Sequence, residues 1–414
     1  MKNYLLFLFQ FTTFYRKLVI SGPYMPTHQI NCGRESSKCP TEWPCCSQYG
    51  FCGSGPVCIV GCNPKFSFEQ ESCLYLPAML PASMKSTMKK NKNKIWRWTM
   101  NNTIDPLSAT DNDIYARYIL SKDKILEWTK YLITDNEKAA ENQWNNIDFT
   151  YSGKIQLSPE TSELYLSMPK KSAGSLVNTA KNMLYGRVSV RLKTARSRGV
   201  ITTIVLFSSV QDEIDFEFLG GDLMNVQTNY YYQGNLDHTK MRKFPVSSNT
   251  YDNYHTYEID WNEERIHWIV DNQILRTLYK RETFDPATNT YKYPQTPLKL
   301  HLSLWPGGNE TNSPGTISWA GGLIDWENAP DIKLFGEFYF RVQEIIVEPY
   351  ATKHTANLKN KLLNNKNRDT LNLVSYGFEN NQQKFDESTV KWVRHNSVPR
   401  LRSSKADGRN PNKS

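Results

Sequence analysis

The sequence predicts an all-β protein, a β-sandwich preceded by a small disulfide-rich module. Two patterns carry that prediction. From about residue 147 to 350 the chain runs in short alternating apolar and polar stretches broken by Gly, Asn and Pro. Many short strands at such spacing argue for a sandwich. All eight cysteines, from Cys32 to Cys73, lie ahead of that region and none follows it. The chain has 414 residues, 39% of them apolar, enough for one large domain and smaller parts.

Along the chain, residues 1–22 read as a signal peptide. Lys2 precedes an apolar run from Tyr4 to Tyr15, too short to span a bilayer. Residues 31–73 form the cysteine module. An even number of cysteines in so short a window reads as a disulfide framework made in an oxidising compartment. Zinc is the competing reading, but the window has no histidine and no regular C-x-x-C knuckles. No metal or cofactor is therefore expected. Residues 74–95, with Pro77, Pro81 and five lysines from Lys85 to Lys94, read as a basic linker. Residues 96–145 are expected to be partly helical, from the spacing of Ile114, Tyr118, Ile125, Trp128 and Leu132. The sandwich takes 146–351. Residues 352–414 read as a disordered, basic tail, with 13 Lys+Arg against 5 Asp+Glu from Ala351 onward. The polar C-terminus predicts no membrane anchor. The sequons at Asn101 and Asn309 fit a secreted glycoprotein.

The chemistry is expected on one strand. In Asp212-Glu213-Ile214-Asp215-Phe216-Glu217-Phe218, acids and apolars alternate. On a strand, Glu213, Asp215 and Glu217 share one face, with Ile214, Phe216 and Phe218 on the other. Carboxylates so close repel one another and raise at least one pKa. Glycoside chemistry needs such a split, one carboxyl protonated and one ionised. A calcium site would want ligands from several directions. A purely solvated acidic face would normally carry Lys or Arg as well. A second lane follows in Leu298 to Trp305, where Lys299, His301, Ser303 and Trp305 alternate with leucines.

The Asp212 to Gly220 segment resembles the signature of glycoside hydrolase family sixteen. Further segments narrow the resemblance to the Crh-type fungal wall transglycosylases. These are Tyr185 to Val188, Gly199 to Leu206, His255 to Trp261, Trp305 to Gly308 and Gly315 to Trp326. The resemblance covers about half of the chain. It implies a jelly-roll sandwich and a retaining mechanism, with Glu213 as nucleophile, Glu217 as general acid/base and Asp215 tuning the pair. It also implies that Glu217, His301, Trp305 and Thr316 contact the donor sugar; Trp319 and Trp326 are either platforms or core. The implied reaction cleaves chitin and transfers it to β-glucan or chitin, in cell-wall or spore-wall assembly. Hydrolysis is the outcome if water takes the place of the acceptor, and the other alternative is a non-catalytic chitin-binding wall protein. The layout is closest to a sporulation-specific member of the group. The expected partners are polysaccharides, with no nucleic acid and no membrane, and the chain is expected to be a monomer.

Cys45-Cys46-Ser47-Gln48-Tyr49-Gly50-Phe51-Cys52-Gly53 resembles the hevein-type chitin-binding module. That resemblance implies the pairs Cys32–Cys46, Cys39–Cys52, Cys45–Cys58 and Cys62–Cys73. It also implies sugar contacts by Ser47, Tyr49 and Phe51. Val57 stands where the family has one more aromatic ring.

Overall fold

The computed structural model describes residues 24–34, 36–81, 116–118, 120–352, 373–379 and 384–402. The predicted signal peptide, most of the basic linker and the Asn101 sequon lie outside the described residues.

Two large sheets face each other. The first runs, in spatial order, Arg242–Pro245, Asn225–Tyr231, Glu213–Leu219, Val200–Ser208, Leu298–Pro306, Ser175–Thr179, Phe149–Ser152 and Ile125–Glu127. Every pair is antiparallel except the last. The second runs Gln273–Tyr279, Arg265–Val270, His255–Trp261, Gly186–Lys193, Glu337–Pro349, Leu164–Pro169 and Lys154–Leu157, and Ala116–Tyr118 also pairs with Glu337–Pro349. This is the predicted all-β jelly-roll sandwich.

Alternation explains the core. Gly186–Lys193 buries every second residue, as a strand with one face inward must. Phe216, Phe218, Leu300, Leu302 and Leu304 come from the first sheet; Val190, Tyr257, Trp268 and Phe338 come from the second. Tyr257 packs edge-on against Phe218, with ring centroids 4.6 Å apart. Burying each such ring contributes on the order of 2 kcal/mol.

Three expectations change. First, the helix predicted from the spacing of Ile114 to Leu132 does not form over the described residues 116–118 and 120–132. Ala116–Tyr118 and Ile125–Glu127 are strands joined to the two sheets. The helix comes later, at Glu137–Asn146, where Glu, Lys, Ala and Gln dominate and Asn136 caps the Ala139 N–H. It buries Ala140 and Trp144.

Second, part of the predicted disordered tail is ordered. Val374–Phe378 and Val390–Arg394 form a three-stranded sheet with Leu76–Pro77. The Leu184 N–H donates to the Tyr376 hydroxyl at 3.2 Å. Gln70 Nε2 donates to the Phe378 carbonyl at 2.8 Å. The charge count of the tail hides two short apolar, aromatic runs that find a surface to pair with.

Third, the cysteine module is docked. It holds four disulfides, Cys32–Cys46, Cys39–Cys52, Cys45–Cys58 and Cys62–Cys73. These are the pairs that the resemblance implies, and they leave none of the eight sulfurs for zinc. A domain this small has little core of its own. Here Phe51 and Ile59 join one apolar cluster with Tyr131, Leu132, Trp144 and Val398. Polar ties add to it. Gln211 Nε2 donates to the Gln48 carbonyl at 3.3 Å, and Lys65 Nζ to Gln233 Oε1 at 3.2 Å.

A shared core predicts shared unfolding. Calorimetry of the whole chain is expected to show one transition for module and sandwich together. Trp144→Ala is expected to lower its stability by roughly 3–5 kcal/mol. Two separated transitions, with only one moved by Trp144→Ala, would show an independent module.

Candidate active site

The Glu213–Leu219 strand lies between Val200–Ser208 and Asn225–Tyr231, and the register builds the site row by row. Glu213 stands between Phe207 and Tyr231, Asp215 between Val205 and Asn229, and Glu217 between Thr203 and Gln227. One strand further, Lys299, His301 and Ser303 continue those rows, and Trp305 stands in the next one, opposite Ile201. Directly opposed residues on neighbouring strands share a face. The three acids thus sit in a polar field made by four strands, while Ile214 and Phe216 are wholly buried behind them.

Two anchors fix the acidic strand. Buried Asp212, just before it, accepts from the Gln233 N–H, the Gln295 N–H and the Thr296 hydroxyl. It therefore ties the strand's start to both flanking segments. Burial lifts the Asp212 carboxyl to about 6, against the pull of those hydrogen bonds. Behind the strand, Trp268 Nε1 crosses from the second sheet to donate to the Asp215 carbonyl at 2.9 Å.

The three acids are electrostatically crowded. Burial raises Asp215 to about 7, with Arg276 and the Asn229 N–H opposing the rise. Glu213 is raised well above the usual carboxylate range by burial and then by Asp215. Glu217 is raised by burial, then by Asp215, then by Glu213. Both glutamates thus feel the Asp215 carboxyl between them.

Tyr231, Asn229 and Gln227 complete the face. Asn229 Nδ2 donates to the Tyr231 hydroxyl at 2.8 Å, and Trp319 Nε1 donates to Gln227 Oε1 at 2.8 Å. Thr203 and Ser303 share a hydrogen bond of 2.6 Å. Sequence reasoning did not single out Tyr231, Asn229 or Gln227. The signal was present, since Asn225 to Tyr231 repeats the period-two alternation just past the Gly220-Gly221 turn.

The predicted lane residues separate into groups. His301 lies two strands from Asp215, is 7% exposed, and is held neutral by burial and by nearby Lys299. Its Nε2 has no partner among the described residues. Trp305 is 3% exposed, because Trp319 stacks on it with ring centroids 6.0 Å apart. The ring open to solvent at this end is thus Trp319, not Trp305. Thr316 is buried at the N-terminus of the Pro314–Trp319 helix, where its N–H donates to the capping Ser313 hydroxyl. Trp326 is not brought to this face. It packs against Phe338 of the second sheet and belongs to the main core.

The module residues also differ from expectation. Phe51 is 2% exposed and serves the docked core. The Ser47 hydroxyl accepts the Phe51 N–H. Half-buried Tyr49 takes a hydrogen bond from Gln48. The expectation of open rings assumed a module without a core, and docking supplies one.

Comparison with known proteins places this geometry. The model of the glycosyl hydrolases family 16 matches residues 141–321. The probable glycosidase CRR1 of Saccharomyces cerevisiae is 45% identical over 383 residues, 89% of this chain and 90% of that protein. The chain belongs to glycoside hydrolase family 16, in its Crh group. The probable glycosidase CRR1 of Eremothecium gossypii is 43% identical, over 89% of this chain and 86% of that one. Crh-like protein 2 of Aspergillus fumigatus is 40% identical, over 78% and 64%. Among solved structures, a Crh5 transglycosylase in complex with NAG matches with a TM-score of 0.47 at 27% identity, over 59% of this chain and 88% of that one. The family 16 chain is thus a glycosidase or transglycosylase acting on carbohydrate.

The raised carboxyls predict a pH-dependent stability. Between about pH 4 and 7 folded Asp215 keeps a proton that the unfolded chain releases. The stability this contributes is present in acid and is lost as pH rises through about 7. Asp215→Asn cannot ionise. It is expected to be more stable than the parent at pH 8, by on the order of 4 kcal/mol for a carboxyl raised to about 7, with no gain at pH 3.5. Melting curves at the two pH values check this; equal gains at both would show that charge is not the cause.

Proposed function

We propose that this protein is a retaining transglycosylase that cleaves chitin and transfers the released chain to β-glucan or chitin during wall assembly. The observation that carries the reading is the buried trio on one strand, whose carboxyls are all raised by burial. A general acid must enter the reaction protonated and a nucleophile ionised. Crowding on one face lets one carboxyl stay protonated while another ionises, and the resemblance to the family assigns the acid's part to Glu217 and the nucleophile's to Glu213.

In the first step Glu217 protonates the glycosidic oxygen as it leaves, and the Glu213 carboxylate forms a bond to the sugar. In the second step Glu217 removes a proton from the incoming hydroxyl, which displaces Glu213. Asp215 sits between the two and keeps their ionisations apart. The Cα atoms of Glu213 and Glu217 are about 13 Å apart on a strand rising ~3.3 Å per residue. Retaining chemistry needs carboxyls about 5–5.5 Å apart, so the mechanism requires both side chains to lean toward each other over Asp215.

The wall setting rests on the disulfides, which belong to an oxidising compartment, and on membership of the Crh group. A spore wall is the setting favoured by the resemblance of the layout to a sporulation-specific member of the group.

Incubation with chitin and a fluorescent β-glucan oligosaccharide tests the reading. Label is expected to enter insoluble polymer. Glu217→Gln is expected to lower that rate about 10²–10⁴-fold, and Glu213→Gln is expected to abolish it. Label that stays in solution while chitin fragments accumulate would identify a hydrolase instead.

A further inference from the structure

The seam between the cysteine module and the first sheet encloses a groove. Its volume is about 460 Å³ when the solvent at its open mouth is included. One wall is apolar, from Ile59, Val60, Leu76 and Pro77. Phe207 and Lys299 enter from the sheet, and Gln48 and Ser209 complete the rim. The enclosed part of the space admits a side group of a few atoms and not a pyranose ring.

Polar groups in this groove lack partners. Gln48 is 8% exposed and Ser209 5%, yet Gln48 Oε1, Ser209 Oγ and the Tyr131 hydroxyl are buried with no hydrogen-bond partner among the described residues. A buried polar atom left unpaired costs roughly 1–3 kcal/mol, so three beside one groove point to a ligand that supplies what is missing. Lys299 makes no ion pair or hydrogen bond among the described residues, and burial lowers its pKa to about 8. None of the groove's lining residues is acidic. The groove thus offers an ammonium donor, oxygen acceptors and an apolar wall, without an acid to neutralise the lysine.

The groove is placed in line with the chemistry. Lys299 shares the row of Glu213 and Phe207. Two strand spacings of ~4.8 Å separate Lys299 from Glu213. A β-linked pyranose chain advances by roughly one such spacing per sugar. The groove therefore lies about two sugars from the sugar that Glu213 attacks.

We propose that this groove recognises the acetamido group of a donor N-acetylhexosamine, with Lys299 donating to its carbonyl oxygen, Gln48 or Ser209 accepting its N–H, and the apolar wall covering its methyl. An acetamido group has these three features at this size; an unmodified hydroxyl has no methyl and a free amine is repelled by Lys299. The docked module then contributes to donor selection from a fixed position, as a wall of the groove. This inference rests on the proposed transglycosylase reading, whose failure would be visible separately.

The test uses the full-length chain, the fluorescent glucan acceptor and two donor oligosaccharides of equal length, one fully N-acetylated and one fully deacetylated. The parent enzyme is expected to favour the acetylated donor. Lys299→Met and Gln48→Ala are each expected to lower kcat/KM for that donor about tenfold, chiefly through KM, while activity on the deacetylated donor does not fall. Melting temperatures of both variants serve as the folding control. A uniform loss on both donors, or no loss on the acetylated one, overturns the acetamido groove. If the parent transfers neither donor, it is the transglycosylase reading that fails.

Discussion

The site depends on the period-two alternation of one strand. Ile214, Phe216 and Phe218 are locked in the core, and Phe218 packs on Tyr257 of the opposite sheet. A slip of one residue would exchange those rings for carboxylates, and burying an unpaired charge costs far more than burying a ring gains. The core therefore dictates that Glu213, Asp215 and Glu217 share the other face. Asp212 and Trp268 sharpen this from the two ends of the problem. Asp212 holds the strand's start against its neighbours, and Trp268 reaches the Asp215 carbonyl from behind.

That constraint brings an electrostatic conflict with it. Three acids on alternate positions of one strand repel, and burial removes the water that would screen them. The surroundings relieve the conflict unevenly. Arg276, bound to the Thr228 carbonyl and stacked over Trp268, pulls Asp215 down. For both glutamates, burial and the neighbouring acids push the same way, toward the protonated form. The centre of the row is thus the member eased toward ionisation, and the glutamates flank it. Stability given up here is the usual companion of catalytic carboxyls.

What was legible in the sequence was local. The alternation of Asp212 to Phe218 and the clustering of Cys32 to Cys73 are patterns within a few dozen residues, and both read correctly. What was illegible depended on partners far away in the chain. Phe51 looks like an open ring until Tyr131, Trp144 and Val398 cover it. Val374–Phe378 looks like part of a basic tail until Leu76–Pro77 pairs with it. Trp326 looks like a platform until Phe338 meets it from the second sheet. The helix at Glu137–Asn146 was misplaced because apolar spacing was weighed above propensity and capping, and there the Asn136 cap decided the start.

Docking also changes what the cysteine module means. A tethered sugar binder raises local substrate concentration and is indifferent to orientation. A module whose core is continuous with Trp144 and Leu401 has one orientation, set by packing. Its residues can then act on the reaction only through position, as walls do. The C-terminal strands are part of this arrangement, because they pair with the chain just where it leaves the module. The row from Tyr231 through Glu213 and Phe207 to Lys299 is thereby bounded at its far end by a segment more than 200 residues away in sequence, held there by apolar burial rather than by any contact with the acids themselves.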